Sequence, residues 1–210
     1  RHHDDSRYGT ILSGTRPRGR PASETLAHDL IEAAIALLEE KGSFDAVSIE
    51  ALCARAGVSK ASFYRRWPDR DHFIVVLLKG LRQLPPLDDP VASLRGDLIA
   101  ILDSIFGDDP RRTRIVHAAL VSEGRKNRPL MEMMFRDVIA PRRKALLDRL
   151  RSGLAEGELR PDTDITALYE ILSAPVLKLV MLSNFDQPIP HRFAERIVDQ
   201  ALRGAGVDKG

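Results

Sequence analysis

Ser48-Ile-Glu-Ala-Leu-Cys-Ala-Arg-Ala-Gly57-Val58-Ser59-Lys60-Ala61-Ser62-Phe63-Tyr64-Arg65-Arg66-Trp67-Pro68-Asp69-Arg70 is the stretch that decides how this chain folds. After Ser48, Ile49, Leu52 and Cys53 recur at helical spacing until Gly57. Ser59 then caps a second short helix running to about Arg66. Ala56-Gly57-Val58 suits the turn of a helix-turn-helix, since glycine adopts the left-handed backbone of a tight turn and Val58 can plug the angle between the helices. Such a turn leaves the second helix standing out from the domain. Its Lys60, Ser62, Arg65 and Arg66 are groups that reach phosphates or base edges in a major groove. Phe63 reads as core, packing on Leu37, Phe44 and Phe73, and Tyr64 reads as a rim residue with its hydroxyl outward.

Outward from this stretch the text stays helical. A first helix is predicted over about 24–41, capped by Ser23 and stopped by Gly42, with Leu26, Leu30, Ala33, Ala34, Leu37 and Leu38 on one face. A fourth opens at Pro68-Asp69 and reaches Leu84, where Pro85-Pro86 ends it. Later helices are predicted from Asp89-Pro90 to about Phe106, then at about 110–124, 127–155, 163–183 and 190–203. Gly107-Asp108-Asp109-Pro110 supplies a stop, a cap and a first-turn proline, and Pro141 and Pro175 should kink their helices. The fold expected is all-α: an N-terminal three-helix helix-turn-helix domain over 23–84, then a helical domain over 88–206, preceded by a basic arm over 1–22.

Bulk properties set bounds. With 210 residues and 43% hydrophobic content the chain can fill a core. The 32 basic and 30 acidic residues leave a formal charge of only +2, so DNA binding has to be argued from where the cations lie. One cysteine, Cys53, excludes an intrachain disulfide, and apolar runs such as Phe73–Leu78 are far short of the ~20 residues that span a bilayer. These features, with no apolar signal core at the start, lead to the expectation of a soluble cytoplasmic protein without membrane contact. No phosphate loop, nucleophile elbow or His-Glu-x-x-His is present, and His28, His72, His117 and His191 are scattered singly. No enzyme, metal or cofactor is implied. Cys53 is predicted to be buried rather than a redox sensor.

The run Gly57 to Arg70 resembles the recognition helix and exit of the TetR (tetracycline-repressor) family. That pattern is Gly-Val-Ser, Lys or Arg, Gly or Ala, Ser or Thr, then a tyrosine, a His-Phe pair, a short turn and a lysine. Tyr64 matches the tyrosine and Trp67 stands for the phenylalanine, while Arg66 replaces the histidine and Arg70 the lysine. Both arginines keep or add positive charge, which bears on base preference more than on DNA binding. The resemblance implies that Ser48, Tyr64 and Arg70 touch phosphates and that Lys60, Ala61, Ser62 and Arg66 face the groove, with Ser59 and Arg65 in the same contact set. In the arm, Arg16-Pro-Arg18-Gly-Arg20-Pro is similar to an AT-hook core that lies in a narrow minor groove, though it also reads as a solubilising tail.

One recognition helix reads few base pairs, so specific binding calls for two copies about one DNA turn apart. The last two helices carry Leu168, Leu172, Val176, Leu179, Phe193, Ile197 and Ala201 on broad apolar faces, which suit either an antiparallel four-helix homodimer interface, as in TetR-like proteins, or plain core. Phe106, His117, Leu120, Met131, Met134 and Phe135 suit either a permissive effector pocket or, again, core. Membership of a ligand-sensing family would make the partners double-stranded DNA, a second copy and a small apolar or amphipathic effector. The effector would shift the fourth helix and with it the spacing of the recognition helices, so that a repressor leaves a palindromic operator.

Overall fold

The computed structural model describes residues 22–81, 84–85, 93–124, 126–182 and 188–205, with the side chains of 22–24, 46, 181–182 and 205 excepted. The arm residues Arg16, Arg18 and Arg20 lie outside it, as do the side chain of Ser23 and the Asp89-Pro90 pair. The described residues are all-α. In order, they form α1 (Ala22–Lys41), α2 (Ile49–Ala56), α3 (Lys60–Tyr64), α4 (Arg70–Leu81), α5 (Leu94–Asp103), α6 (Pro110–Gly124), α7 (Arg128–Met134), α8 (Ala140–Ala155), α9 (Ile165–Leu182) and α10 (Phe193–Ala205).

Several boundaries differ from the sequence reading, each for a local reason. The third helix ends at Tyr64 and the fourth starts only at Arg70, with Arg65–Asp69 forming the exit between them. The helix expected from Asp89 starts at Leu94, where the Ser93 hydroxyl accepts the Gly96 N–H at 3.1 Å. The single helix expected over 127–155 is three pieces: Asn127 caps α7, a π-turn occupies Phe135–Ile139, and α8 follows. Pro141, at the start of α8, has no N–H to give, and the widened turn before it, where Ala140 N–H reaches back to the Phe135 carbonyl, accommodates its ring.

Two cores hold the helices. The first gathers α1 to α4 with α6, α7 and Val138: Phe44, Phe63, Trp67 and Phe73 pack with Leu30, Leu52 and Leu77, and Ile115, Val116, Leu120, Leu130 and Met134 close over them. The second joins α5, α8, α9 and α10 through Leu98, Ile101, Leu146, Leu150, Leu172, Val176 and Val198. α6 is therefore the strap that ties the first half to the second. Arg112 holds Glu32 of α1 through two bonds of 2.7 Å, Arg111 pairs with Glu39, and Asn127 reaches Asp71 of α4 at 2.9 Å. At the seam, Gly107 has φ +65°, and a Cβ there would stand 2.1 Å from the carbonyl oxygen of Leu81, the last residue of α4. Only glycine lets the α5–α6 turn come this close to α4.

Candidate nucleic-acid interface

α2 is capped by Ser48, whose hydroxyl accepts the Ala51 N–H at 3.1 Å, and it ends where Gly57 turns left-handed (φ 67°, ψ 31°). Val58 packs against the core beneath, so the chain is thrown into α3 at a fixed angle. The Ser59 hydroxyl caps α3 by accepting the Ser62 N–H at 3.1 Å, and the two serine hydroxyls are 3.0 Å apart. What holds so short a helix is its buried side. Phe63 has no exposed surface and Trp67 almost none. Their ring centres lie 5.2 Å apart, and each meets Phe73 of α4, at 5.6 Å and 5.1 Å respectively. Burying such rings contributes about 1.5–3 kcal/mol each, far more than a five-residue helix gains from its own backbone.

The opposite side faces outward. Ser59, Lys60, Ala61 and Arg65 are exposed, Ser62 and Arg66 half-buried, and Tyr64 keeps 53% of its surface while resting edge-on against Phe63. The Arg66 guanidinium carbon stands 5.4 Å from the centre of the Trp67 ring, which orients it. Lys60 forms an ion pair with Glu50 of α2, whose carboxyl is held below the usual range by hydrogen bonding to that ammonium. Behind them, Arg55 pairs with Glu40 at 2.7 Å.

Arg70, expected on a phosphate, is engaged within the protein. Its Nη1 donates to the Phe44 carbonyl at 3.0 Å and its Nη2 to Glu123 Oε1 at 2.9 Å. Glu123 is only 5% exposed, so Arg70 is the counter-charge of a buried carboxylate and joins α4 to α6. Cys53 is buried, and burial pushes its thiol pKa up, which disfavours the reactive thiolate.

The six residues suggested as an effector pocket do not come together. Leu120, Met131 and Met134 belong to the first core, Phe106 is buried in the second against Phe193, and Phe135 is 54% exposed. His117 is buried, its Nδ1 and the Thr113 carbonyl oxygen 2.7 Å apart one turn back on α6. A real pocket lies instead between α5, the π-turn, α8 and α9, walled by Ile101, Ile105, Val138, Leu146 and Leu177 and edged by Arg142, Arg143, Tyr169 and Ser173.

Much of the suggested dimer face is already packed within its own chain. Leu168, Leu172, Val176 and Ala201 are buried in the second core of their own chain, and Leu179, Phe193 and Ile197 are packed partly against it. Among the described residues of α9 the large apolar side chains left exposed are Ile171, 57% exposed, and Leu177, 37% exposed. Ala167, Ala174 and Lys178 continue the outward stripe of Ile171.

A left-handed glycine turn between two short helices, with the second held from beneath by aromatic rings and presenting cations outward, defines a helix-turn-helix DNA-binding protein. Residues 30–76 match the family described as bacterial regulatory proteins, tetR family, and residues 90–201 match the tetracyclin repressor-like C-terminal domain. The chain belongs to the TetR family of transcriptional regulators. It is 27% identical over 188 residues to the HTH-type transcriptional regulator YdeS of Bacillus subtilis, covering 89% of this chain and 93% of YdeS. Its fold is similar to that of NalD, the secondary repressor of the MexAB-OprM multidrug efflux pump in Pseudomonas aeruginosa (TM-score 0.63, 21% identity, 89% of this chain and 99% of NalD). It is also similar to the ketosteroid transcriptional regulator KstR2 of Mycobacterium tuberculosis (TM-score 0.56, 21% identity, 92% of this chain and 100% of KstR2). Among the described residues no helix is long and apolar enough to cross a membrane.

Proposed function

We propose that this regulator is a homodimeric repressor that reads a palindromic operator with α3 of each copy and releases it when a small apolar or amphipathic effector enters the C-terminal helices. The observation that carries the reading is the two-sided α3, pinned by Phe63 and exposing Lys60, Ala61, Tyr64 and Arg65. The contact set is Ser48, Ser59, Lys60, Ala61, Ser62, Tyr64, Arg65 and Arg66, joined by Arg16, Arg18 and Arg20 of the arm; Arg70 is withdrawn from it. The division of labour follows the sequence: an arm over 1–22, DNA binding over 23–84, effector sensing and dimerisation over 88–206.

Dimerisation runs through the outward stripe of α9 centred on Ile171, since its inward stripe is already occupied. The pocket between α5, α8 and α9 supports effector control, as does the shared fold with the flavonoid-responsive regulator FrrA. Sedimentation and operator binding of the parent and of Ile171→Glu test the reading together. The parent should sediment as a dimer, and the variant should shift to monomer and lose operator affinity by about a hundredfold or more, because half-sites bound singly forgo the second recognition helix. A monomeric parent that still binds a palindrome at full affinity would overturn it.

A further inference from the structure

We infer that the pocket between α5, the π-turn, α8 and α9 is a carboxylate site: Arg142 clamps the head group of a small amphipathic acid and the apolar walls take the start of its tail. The binding claim stands on the pocket alone; its consequence for DNA rests on the effector reading above.

Charge comes first. Among the residues lining the pocket the charged ones are two arginines, Arg142 and Arg143, and none is acidic. Arg142 is 9% exposed, and its Nη2 donates to the Ser104 hydroxyl over 3.4 Å, a long and weak bond. Burial pushes its pKa down to about 10, which leaves it charged at neutral pH in surroundings that disfavour charge. A guanidinium held in an apolar wall binds a carboxylate strongly and bidentately. Arg143 stands at the mouth with its guanidinium carbon 5.5 Å from the centre of the Tyr169 ring.

Shape then limits the ligand. Tyr169, Ser173 and Leu177 recur every four residues and form one stripe of α9, facing Arg142 and Leu146 one turn apart on α8. The cavity volume is about 60 Å³, room for a head group and a few carbons, whereas a drug-sized ligand takes ~300–1,000 Å³. The tail therefore leaves through the open side, past the exposed Leu177. A short or medium-chain acid fits this, and a strongly hydrated dianion such as inorganic phosphate does not, because the apolar walls do not repay its dehydration.

The site also sits where it can act. Ser104 ends α5, and its hydroxyl donates to the Ile101 carbonyl at 2.6 Å. Three residues further on, Gly107 abuts the carbonyl of Leu81 at the end of α4. A carboxylate that takes Arg142 from Ser104 changes the contacts of the turn on which α4 rests.

Calorimetry on the full chain with butyrate, hexanoate, octanoate, hexanamide, hexylamine and inorganic phosphate tests the site. Hexanoate should bind about tenfold or more tighter than hexanamide, with affinity rising from butyrate to octanoate and with hexylamine and phosphate giving no heat. Arg142→Met, with helicity checked by circular dichroism, should lose that margin for hexanoate while leaving hexanamide unchanged, and Arg142→Lys should keep part of it. Equal binding of acid and amide, hexanoate affinity unaltered in both variants, no heat from any acid, or phosphate binding as tightly as hexanoate would each overturn the proposal. Operator affinity with and without hexanoate separates the two claims. Binding without release removes the effector reading and leaves the site. Release by neutral compounds while acids do not bind removes the site and leaves the effector reading.

Discussion

The recognition segment and the pocket are built in opposite ways. The side chains on the exposed face of α3, with the turn and caps that set it, lie within the twenty-odd residues from Ser48 to Arg70, while Phe73 and the rest of the first core hold it from beneath. The pocket draws two or three residues at a time from α5 and its exit, the π-turn, α8 and α9, between Ile101 and Leu177. A contiguous segment carries its function as a pattern of residue types. A pocket assembled across the chain carries it as a coincidence of helix phases, which the fold has to supply.

This contrast can be broken first at its aromatic base. Phe63→Ala should cost about 3–5 kcal/mol in chemical denaturation, because the ring is fully buried among Trp67, Phe73 and Tyr64. It should abolish operator binding with it. A variant of near-parental stability would mean that α3 is held by something other than this cluster.

Arg70→Ala comes next. It strands the buried Glu123 carboxylate and should cost about 2 kcal/mol, discounted for the partial exposure of Arg70. The informative readout is the salt dependence of operator binding. A residue on a phosphate contributes a slope of about 0.9 in log affinity against log salt, and Arg70→Ala should leave the slope where it was. A shallower slope would return Arg70 to the DNA interface.

Gly107→Ala probes the seam between the two regions. The positive φ and the Leu81 carbonyl beside any Cβ should together cost about 1–3 kcal/mol, read as a lower melting temperature. Because α4 must yield, operator affinity should fall as well, with an unchanged salt slope. The smallest expected effect is a gain. Glu50→Gln releases Lys60 from its surface ion pair and should tighten operator binding by up to about fivefold at low salt, the modest gain expected of an exposed pair. No change would mean that Lys60 stays away from the duplex.

How far the sequence could be read follows the same division. Gly57 with its capping Ser59, the buried spacing of Phe63 and Trp67, and the stop at Gly107 before Pro110 are all local signals, and α2, α3 and the Pro110–Gly124 helix follow from them. Arg70 was beyond such signals, because its partner Glu123 lies 53 positions away and a cation opening a helix reads as surface. In α9, Leu168, Leu172 and Val176 repeat every four residues, and so do Tyr169, Ser173 and Leu177, one step out of phase. Periodicity alone cannot tell the core stripe from the pocket stripe or from the outward stripe of Ile171. The methionines of α7 carried the same ambiguity: flexible apolar side chains suit a cavity wall, and Met134 fills the first core instead.

The central claim is that α3 reads DNA sequence, and selection of bound duplexes from a random library tests it most directly. The parent protein should enrich a palindromic site, and the triple variant Lys60→Ala, Tyr64→Ala, Arg66→Ala should enrich none while keeping its helical content. Failure of the parent to enrich any site at low salt, or recovery of the same site by the triple variant, would contradict it.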